Sequence, residues 1–152
     1  MFFGERCPLS NFFRASFTVG QTTFHSSEQY LQYKKALLFE DEEMAQKILV
    51  SKIPIQSKAL SHQIKNVDEA KWQATAPNIM KIGLEAKFQT NDQCKQALVN
   101  TGMQKLGEAS LTDKFWGTGV GLADKLALNS GAWTGLNHMG KILEEVREII
   151  TF

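Results

Sequence analysis

The sequence predicts an α+β fold that is mostly helical, with a small β element near the N-terminus and helices packed around it. Apolar residues recur at helical spacing in most stretches after residue 26, whereas the alternation typical of strands is clear only between residues 17 and 24. The chain has 152 residues, of which 43% are hydrophobic and 22% are charged. We expect such a chain to form a single domain over residues 1–152, with a core that needs no disulfides.

The predicted β element is a hairpin formed by residues 17–24. Phe17 and Val19 alternate with polar residues, which is the pattern of a strand with one buried face. Gly20 then suits a two-residue turn, because such turns require a positive φ that glycine adopts without strain. The chain leaves this hairpin directly into the first helix.

The first helix is predicted from its N-terminal capping residues. Ser26 can act as the N-cap, and Gln29 three residues later completes a capping-box pattern. On this helix Glu28, Gln32 and Lys35 are four and then three residues apart, so their side chains share one face. A face with an acid, an amide and an ammonium group is either exposed to solvent or one wall of a polar pocket.

Two short helices are predicted to follow. Asp41 is a suitable cap for a helix that ends near residue 49. Pro54 suits the first turn of the next helix, because proline lacks the N–H group that would be unpaired at that position. This second short helix would carry Lys58.

Three further helices are predicted in the middle of the chain. Asp68 can cap a helix that runs through Trp72, and Pro77 is expected to begin a separate helix, because proline is favoured in a first turn and disfavoured in a helix interior. Asn91 or Asp92 then caps the next helix.

The remaining elements are read from glycines and apolar spacing. Gly102 is expected to close the preceding helix at the C′ position. Short strands are predicted at residues 2–4 and 106–110, and a last helix at residues 136–150. Residues 111–134 are rich in glycine and polar residues, and a connection of this length in a compact domain is often functional.

Charge, cysteines and hydropathy exclude several classes of protein. The formal net charge of +1 gives no overall field for a polyanion, so any phosphate binding must be local. No stretch has the length of a membrane span, and the N-terminus lacks the pattern of a secretory signal. Cys7 and Cys94 are far apart and have no metal-like spacing, so we expect free thiols in a reducing compartment and a cytoplasmic location.

The histidines and the glycine run do not match common catalytic motifs. His25, His62 and His138 form no zinc-binding pattern, so we expect no metal. The glycines between residues 117 and 121 lack the GK[ST] ending of a phosphate loop. No nucleophile elbow is present either.

Two carboxylates and one tryptophan are the leading candidates for chemistry. Glu28 either benefits only from the helix dipole in the first turn or points into a cleft from a rigid element. Asp113 is either a turn residue or a second acid three residues before Trp116. Trp116 itself is either part of the core or a platform for stacking on a planar ring.

Basic and amide groups are candidates for holding a phosphorylated ligand. Lys35, Lys58 and Arg147 are either solvated or bind phosphate oxygens, for which ammonium and guanidinium groups are suited. Asn137 lies at the start of the last helix, where it either caps the helix or accompanies free N–H groups that could hold a phosphate.

An ordered set of segments resembles one protein family over nearly the whole chain. The segments are Leu9–Phe13, Ser26-x-Glu28-x-Tyr30-x-Gln32-x-x-Lys35-Ala36, Pro54-x-x-x-Lys58-x-Leu60, Trp72, Met80-x-x-x-Leu84-x-x-Lys87-Phe88, Thr101-Gly102-x-x-x-Leu106-x-Glu108-Ala109-Ser110-x-x-Asp113-x-Phe115-Trp116-Gly117-x-Gly119, and Gly135-x-Asn137-x-x-Gly140-x-x-Leu143-x-x-x-Arg147. Together they resemble the NADAR family, also called the YbiA-like or riboflavin-biosynthesis-intermediate N-glycosidase family. Gln29 and His62 depart from the family pattern, which usually has His and Arg at these positions.

The resemblance implies an enzyme that hydrolyses N-glycosidic bonds without a metal or cofactor. The implied substrates are phosphorylated ribosylamino-pyrimidine intermediates of riboflavin synthesis, or ADP-ribose attached to guanine. The catalytic residues would be Glu28 and Asp113, in an order of acid and base that the sequence leaves open. The residues implied in substrate binding are Asn11, Gln32, Lys35, Lys58, Trp116, Asn137 and Arg147.

Two other functions remain open at this point. The first is a binding module that recognises ADP-ribose or a related nucleotide without cleaving it. The second is a nucleic-acid-binding protein, which the near-neutral charge disfavours, because non-specific binding to the phosphate backbone needs a basic surface. ADP-ribosylated nucleic acid remains a candidate substrate, recognised through the modification, and no membrane partner is expected.

Overall fold

A computed structural model describes residues 1–151 and confirms the α+β class, with a two-stranded sheet near the N-terminus and a mostly helical remainder. Within these residues the elements are β1 (Phe17–Val19), β2 (Thr22–Phe24), α1 (Ser27–Leu38), α2 (Glu42–Leu49), α3 (Pro54–Ser61), α4 (Glu69–Thr90), α5 (Asp92–Val99), a 3-10 turn (Ser130–Ala132) and α6 (His138–Thr151). None of these helices is both long and apolar enough to cross a membrane.

The predicted hairpin is present and packs on the start of α1. β1 and β2 pair antiparallel with Phe17 opposite Phe24, and Gly20 has a φ of +62° in the turn. Both phenylalanines are buried, and their rings lie 5.9 and 5.3 Å from the ring of Tyr30. Aromatic contacts of this kind add to the apolar burial, so the hairpin fixes the first turns of α1.

The N-terminus of α1 is capped as predicted, with one difference. The Ser26 Oγ accepts a hydrogen bond from the backbone N–H of Gln29 at 3.2 Å. The Gln29 side chain returns to the N–H of His25, one residue before the position that a capping box uses. Its Nε2 also donates to the carbonyls of Ile48 and Leu49, so Gln29 joins α1 to the end of α2.

Helix α4 corrects the prediction of two helices separated at Pro77. It runs without interruption for 22 residues, with Pro77 in its interior. Proline cannot donate a backbone hydrogen bond there, which normally destabilises a helix. Here Trp72 and Ala76 before the proline and Met80 after it are all buried in the main core, and burial of one continuous face offsets the loss.

The two short strands predicted at residues 2–4 and 106–110 are also corrected. They are reduced to one parallel bridge between Phe2 and Glu108, supported by hydrogen bonds of 2.9 Å from Phe2 to Gly107 and from Ala109 to Phe2. Gly4, with a φ of +91°, ends the extended conformation immediately afterwards.

Two smaller corrections concern helix ends. α5 ends at Val99 and its C-cap is Asn100. Gly102, which has a left-handed φ, therefore lies one residue after C′ and not at C′ as predicted. α6 begins at His138, two residues later than predicted. Between α5 and α6 the only helical element is the 3-10 turn, in agreement with the predicted long irregular segment, and Cys7 and Cys94 are free thiols.

Candidate active site

A polar cavity of about 180 Å³ lies between α1, α3, α4 and the irregular segment that precedes α6. Its walls bring together residues that are distant in sequence and that include most of the predicted site. The lining residues are Asn11, Phe12, Glu28, Leu31, Gln32, Lys35, Lys58, Ser61, His62, Trp72, Glu108, Asp113 and Trp116.

Glu28 is held rigidly in the first turn of α1. Its backbone N–H donates to the carbonyl of Asn11 at 3.1 Å, and one carboxylate oxygen accepts from Nε2 of Gln32 at 2.9 Å. The side chain is only 4% exposed. Burial raises the pKa of Glu28, while the bond from Gln32 and the charges of Lys58 and Lys35 partly oppose this shift.

The loop before the hairpin supports this position. The Asn11 Oδ1 accepts from the Ser27 hydroxyl at 2.7 Å, so Asn11 binds the start of α1 through both its backbone and its side chain. The fully buried ammonium of Lys87 donates to the carbonyl of the adjacent Ser10 at 2.9 Å. Burial lowers the pKa of Lys87 to about 8. The loop therefore connects α4 to the turn that carries Glu28.

Asp113 reaches the same cavity from the irregular segment. One of its carboxylate oxygens accepts from the backbone N–H groups of Phe115 at 3.1 Å and Trp116 at 2.9 Å. Its own N–H donates to the Ser110 hydroxyl at 2.9 Å. A Cβ at Gly117 would meet the Asp113 carbonyl at 2.7 Å, so glycine is required where this turn folds back on itself. The turn places the Asp113 carboxylate and the half-buried Trp116 ring at one cavity wall.

Two lysines that line the cavity contribute positive charge. The Lys35 ammonium lies 5.2 Å from the centre of the Trp72 ring, and the Lys58 ammonium lies 5.5 Å from the centre of the Phe12 ring. Burial lowers the pKa of Lys35, against the attraction of Glu69 and Glu28. Both ammonium groups are held by aromatic faces, in a position to bind an anion.

Glu108 is the site residue that the sequence analysis did not select. It lines the cavity with Glu28 and Asp113, and its pKa is raised to about 8 by burial first and then by the charges of these two carboxylates, against the opposing charge of Lys58. The sequence did contain a feature that could have identified Glu108, because it is a carboxylate in an apolar stretch only five residues before Asp113. Perturbed carboxylates of this kind are typical of functional sites.

The raised pKa of Glu108 predicts how stability depends on pH. At low pH the group is protonated in both the folded and the unfolded chain. Between its ordinary value of 4.5 and about 8, the unfolded chain loses this proton while the folded chain keeps it, so the free energy of unfolding falls as pH rises. We expect the free energy of unfolding in urea to decrease between pH 6 and pH 8 by about 2 kcal/mol more in the wild type than in Glu108→Gln. An equal decrease in both proteins would contradict the assignment.

Asn137 and Arg147 are not among the residues that line the cavity. The Asn137 Oδ1 accepts from the N–H of Glu108 at 3.2 Å, and its Nδ2 donates to the carbonyl of Leu106 at 2.9 Å. Arg147 donates to Thr101 and to the carbonyl of Gln104. Asn137 therefore holds the Glu108 segment, and Arg147 holds the turn after α5.

The start of α6 does not provide the phosphate site that the sequence suggested. The N–H groups of Asn137, His138 and Met139 donate to the carbonyls of Gly117, Phe115 and Trp116, respectively, at 3.0–3.2 Å. These groups are satisfied by the site turn, which contradicts the alternative in which they are free to hold a phosphate. Instead, α6 supports the turn that carries Trp116.

A second and wider cavity, of about 870 Å³, opens beside the first. The two share four lining residues, which are Phe12, Lys58, Glu108 and Asp113. The wider cavity continues over apolar and basic side chains, including Phe13, Ile55, Arg6 and Arg14. In residues 1–151 no group of three or more His, Cys, Asp or Glu side chains is arranged to hold a metal ion.

A model of the NADAR domain matches residues 1–151. The chain belongs to the NADAR family. It is 32% identical to the protein irg-1 of Caenorhabditis elegans over 97% of this chain and 77% of that protein, and 32% identical to the N-glycosidase R617 of Acanthamoeba polyphaga mimivirus over 81% of this chain and 72% of that protein. The solved structure of the Escherichia coli protein YbiA superimposes with a TM-score of 0.76 at 26% identity, covering 95% of this chain and 77% of that one.

Several NADAR proteins related to this chain are named N-glycosidases, which are hydrolases acting on N-glycosyl compounds. They include YbiA of Escherichia coli, which is 27% identical over 92% of this chain and 79% of that protein. The family assignment and the fold thus agree with the resemblance found in the sequence. The unusual Gln29 binds backbone groups of His25, Ile48 and Leu49, and so has a structural role in this member.

Proposed function

We propose that this NADAR protein hydrolyses the N-glycosidic bond of a phosphorylated ribosyl compound in the 180 Å³ cavity. The observation that carries the proposal is the meeting of Glu28 and Asp113 at one polar cavity beside the ring of Trp116. Breaking a bond between an anomeric carbon and nitrogen develops positive charge on the sugar. Carboxylates fixed on rigid elements stabilise that charge without reorganising in the reaction.

Glu28 and Asp113 have separate parts in this mechanism. One carboxylate faces the developing oxocarbenium ion, and the other removes a proton from the attacking water. Glu28 is suited to proton transfer, because burial raises its pKa above the ordinary value of a carboxyl group and so strengthens it as a base. Asp113 is suited to charge stabilisation, because its turn fixes one oxygen through two backbone N–H groups and leaves the other oxygen for the sugar.

The remaining cavity residues are suited to hold a phosphorylated ribose. Lys35 and Lys58 would bind phosphate oxygens, and the Trp116 ring would pack against the ribose or the base. Gln32 would bind a ribose hydroxyl. Its Oε1 is buried and has no hydrogen-bond partner within residues 1–151, a state that a ligand hydroxyl would relieve. Asn11 would complete the wall beside Glu28.

Two substrate types are consistent with this arrangement. One is a ribosylamino-pyrimidine phosphate, in line with a relative from Vibrio vulnificus that is named a riboflavin biosynthesis protein. The other is an ADP-ribosylated guanine, free or in a nucleic acid. Both present a ribose joined to nitrogen and at least one phosphate. A protein that only binds ADP-ribose would need the same cations, but would not need two acids at the sugar.

The test is a product screen by chromatography with both substrate types offered separately to the purified protein. We expect a free heterocycle and a free ribose phosphate or ADP-ribose to form from at least one of them. Tight binding with no product from either would favour the binding module. If the protein neither binds nor cleaves either substrate, both functions are contradicted.

A further inference from the structure

We propose that Glu108 is the proton donor to the departing nitrogen, and that the heterocycle leaves into the wider cavity. This inference rests on the proposed N-glycosidase function. It assigns the sugar to the 180 Å³ cavity and the leaving group to the 870 Å³ cavity, with the scissile bond between them.

Glu108 lies where the two cavities adjoin. It is one of four residues that line both cavities, and among these four only Glu108 and Asp113 are acids. Asp113 has one oxygen bound to the backbone of its own turn, whereas Glu108 is fixed through its backbone, by Asn137 and by the N–H of Thr118 at 2.9 Å. Since the free oxygen of Asp113 is assigned to the sugar, Glu108 is the acid that remains for the leaving group among the residues shared by the two cavities.

Burial first, and then the charges that face Glu108, keep its carboxyl group protonated near neutral pH. Glu28 approaches from α1 and Asp113 from the irregular segment, and both oppose its ionisation; Lys58 from α3 favours ionisation. Lys35 and His62 line the narrower cavity, and Arg6 and Glu5 line the wider one. The net result is a pKa of about 8, so the group carries the proton that a general acid needs.

The proton and electron balance of the step is complete with groups already named. The Glu108 carboxyl proton passes to the departing nitrogen as the bond from the anomeric carbon to nitrogen breaks and its electron pair moves to nitrogen. Water then attacks the anomeric carbon, and its proton passes to the Glu28 carboxylate. The final proton exchange, from Glu28 and back to Glu108, occurs through solvent. No oxidant, reductant or second substrate is required.

The walls of the wider cavity fit a planar leaving group. Phe12 and Phe13 offer aromatic faces, and Ile55 offers an apolar surface that is 63% exposed. Arg6 and Arg14 add two of the three arginines of the chain. Aromatic and apolar surfaces with nearby guanidinium groups are suited to a flat heterocycle that carries anionic substituents. The narrower cavity is lined mainly by polar groups, as a sugar requires.

The first test compares two ribosyl phosphates, one whose leaving group needs a proton and one whose leaving group does not. We expect Glu108→Gln to lower kcat/KM by about 100-fold or more for a guanine-type N-glycoside, and by less than about 5-fold for a matched p-nitrophenyl riboside phosphate, whose leaving group departs as an anion. Glu28→Gln, the control, should impair both substrates. Equal losses in Glu108→Gln would overturn the assignment.

The second test is the pH profile on the N-glycoside. The wild-type kcat/KM should fall above about pH 8. This fall should be absent in Glu108→Gln. It should be present in Glu108→Asp, which should also be more active than Glu108→Gln. A fall that persists in Glu108→Gln would exclude Glu108 as its source. If the wild type hydrolyses no N-glycoside, the proposed function fails; if it does and Glu108→Gln behaves like the wild type, only this inference fails.

The assignment of the wider cavity is tested by product inhibition. Ile55→Asn should raise the inhibition constant of the free heterocycle about 5-fold or more and leave that of ribose phosphate unchanged, since the variant removes one apolar contact. Ile82→Asn, on an exposed isoleucine of α4 outside both cavities, is the matched control. A change for ribose phosphate alone would place the sugar, and not the heterocycle, in the wider cavity.

Discussion

Replacing Glu28 with glutamine is expected to lower kcat/KM for N-glycoside hydrolysis by about 100- to 10,000-fold. The amide has the shape of the carboxyl group and can still accept the hydrogen bond from Gln32. What is lost is the ability to take a proton and to stabilise positive charge on the sugar. Most of the effect should appear in kcat, because these interactions strengthen in the transition state.

The folded state should tolerate this change. Burial raises the pKa of Glu28, so the folded protein disfavours its charged form, and a neutral isostere removes that cost. The melting temperature of Glu28→Gln should therefore equal or exceed that of the wild type. Glu43→Gln is a suitable control, because Glu43 is an exposed acid on α2, outside both cavities, that pairs with Lys47 at 3.2 Å. Wild-type activity in a well-folded Glu28→Gln variant would remove Glu28 from the mechanism.

Replacing Asn137 with alanine is expected to destabilise the protein by about 3 kcal/mol. The substitution leaves the N–H of Glu108 and the carbonyl of Leu106 without their partners. It also places alanine at a φ of +52°, a conformation that asparagine tolerates better than residues with an apolar Cβ substituent. In a chain of this length the melting temperature should fall by about 6–12 °C.

Two matched variants separate the contributions at this position. Asn137→Gly relieves the backbone strain but not the loss of hydrogen bonds, so its stability should lie between those of Asn137→Ala and the wild type. Asn137→Asp keeps the acceptor for the N–H of Glu108. An Asn137→Ala variant that is as stable as the wild type but inactive would support the sequence-based prediction that Asn137 binds substrate directly.

Local signals in the sequence were sufficient for much of the fold. The hairpin at Gly20, the N-cap at Ser26 and the helix that starts at Pro54 each depend on a few neighbouring residues, and each is confirmed. Pro77 misled the prediction because the rule for proline is also local. The burial of Trp72 and Met80 on one face of α4 is tertiary and offsets the missing hydrogen bond.

Some residues of the candidate site could likewise be predicted from local spacing, whereas others are placed by contacts between distant segments. Glu28, Gln32 and Lys35 share a helix face, so helical spacing alone predicts that they lie together, and all three line the cavity. Glu108 is held beside them by the bridge to Phe2 and by the support of Asn137, which are contacts between distant parts of the chain. Spacing in the sequence could not reveal such contacts.

In the proposed mechanism, water cleaves an N-glycosidic bond at the cavity shared by these carboxylates. The most direct test of this mechanism is incubation with a ribosyl phosphate N-glycoside in ¹⁸O-labelled water, followed by mass spectrometry of the products. Cleavage at the anomeric carbon should place the label in the released sugar and leave the heterocycle unlabelled, and Glu28→Gln should slow the formation of both products by about 100-fold or more. Substrate that binds and is recovered intact, or label found in the heterocycle, would contradict this account.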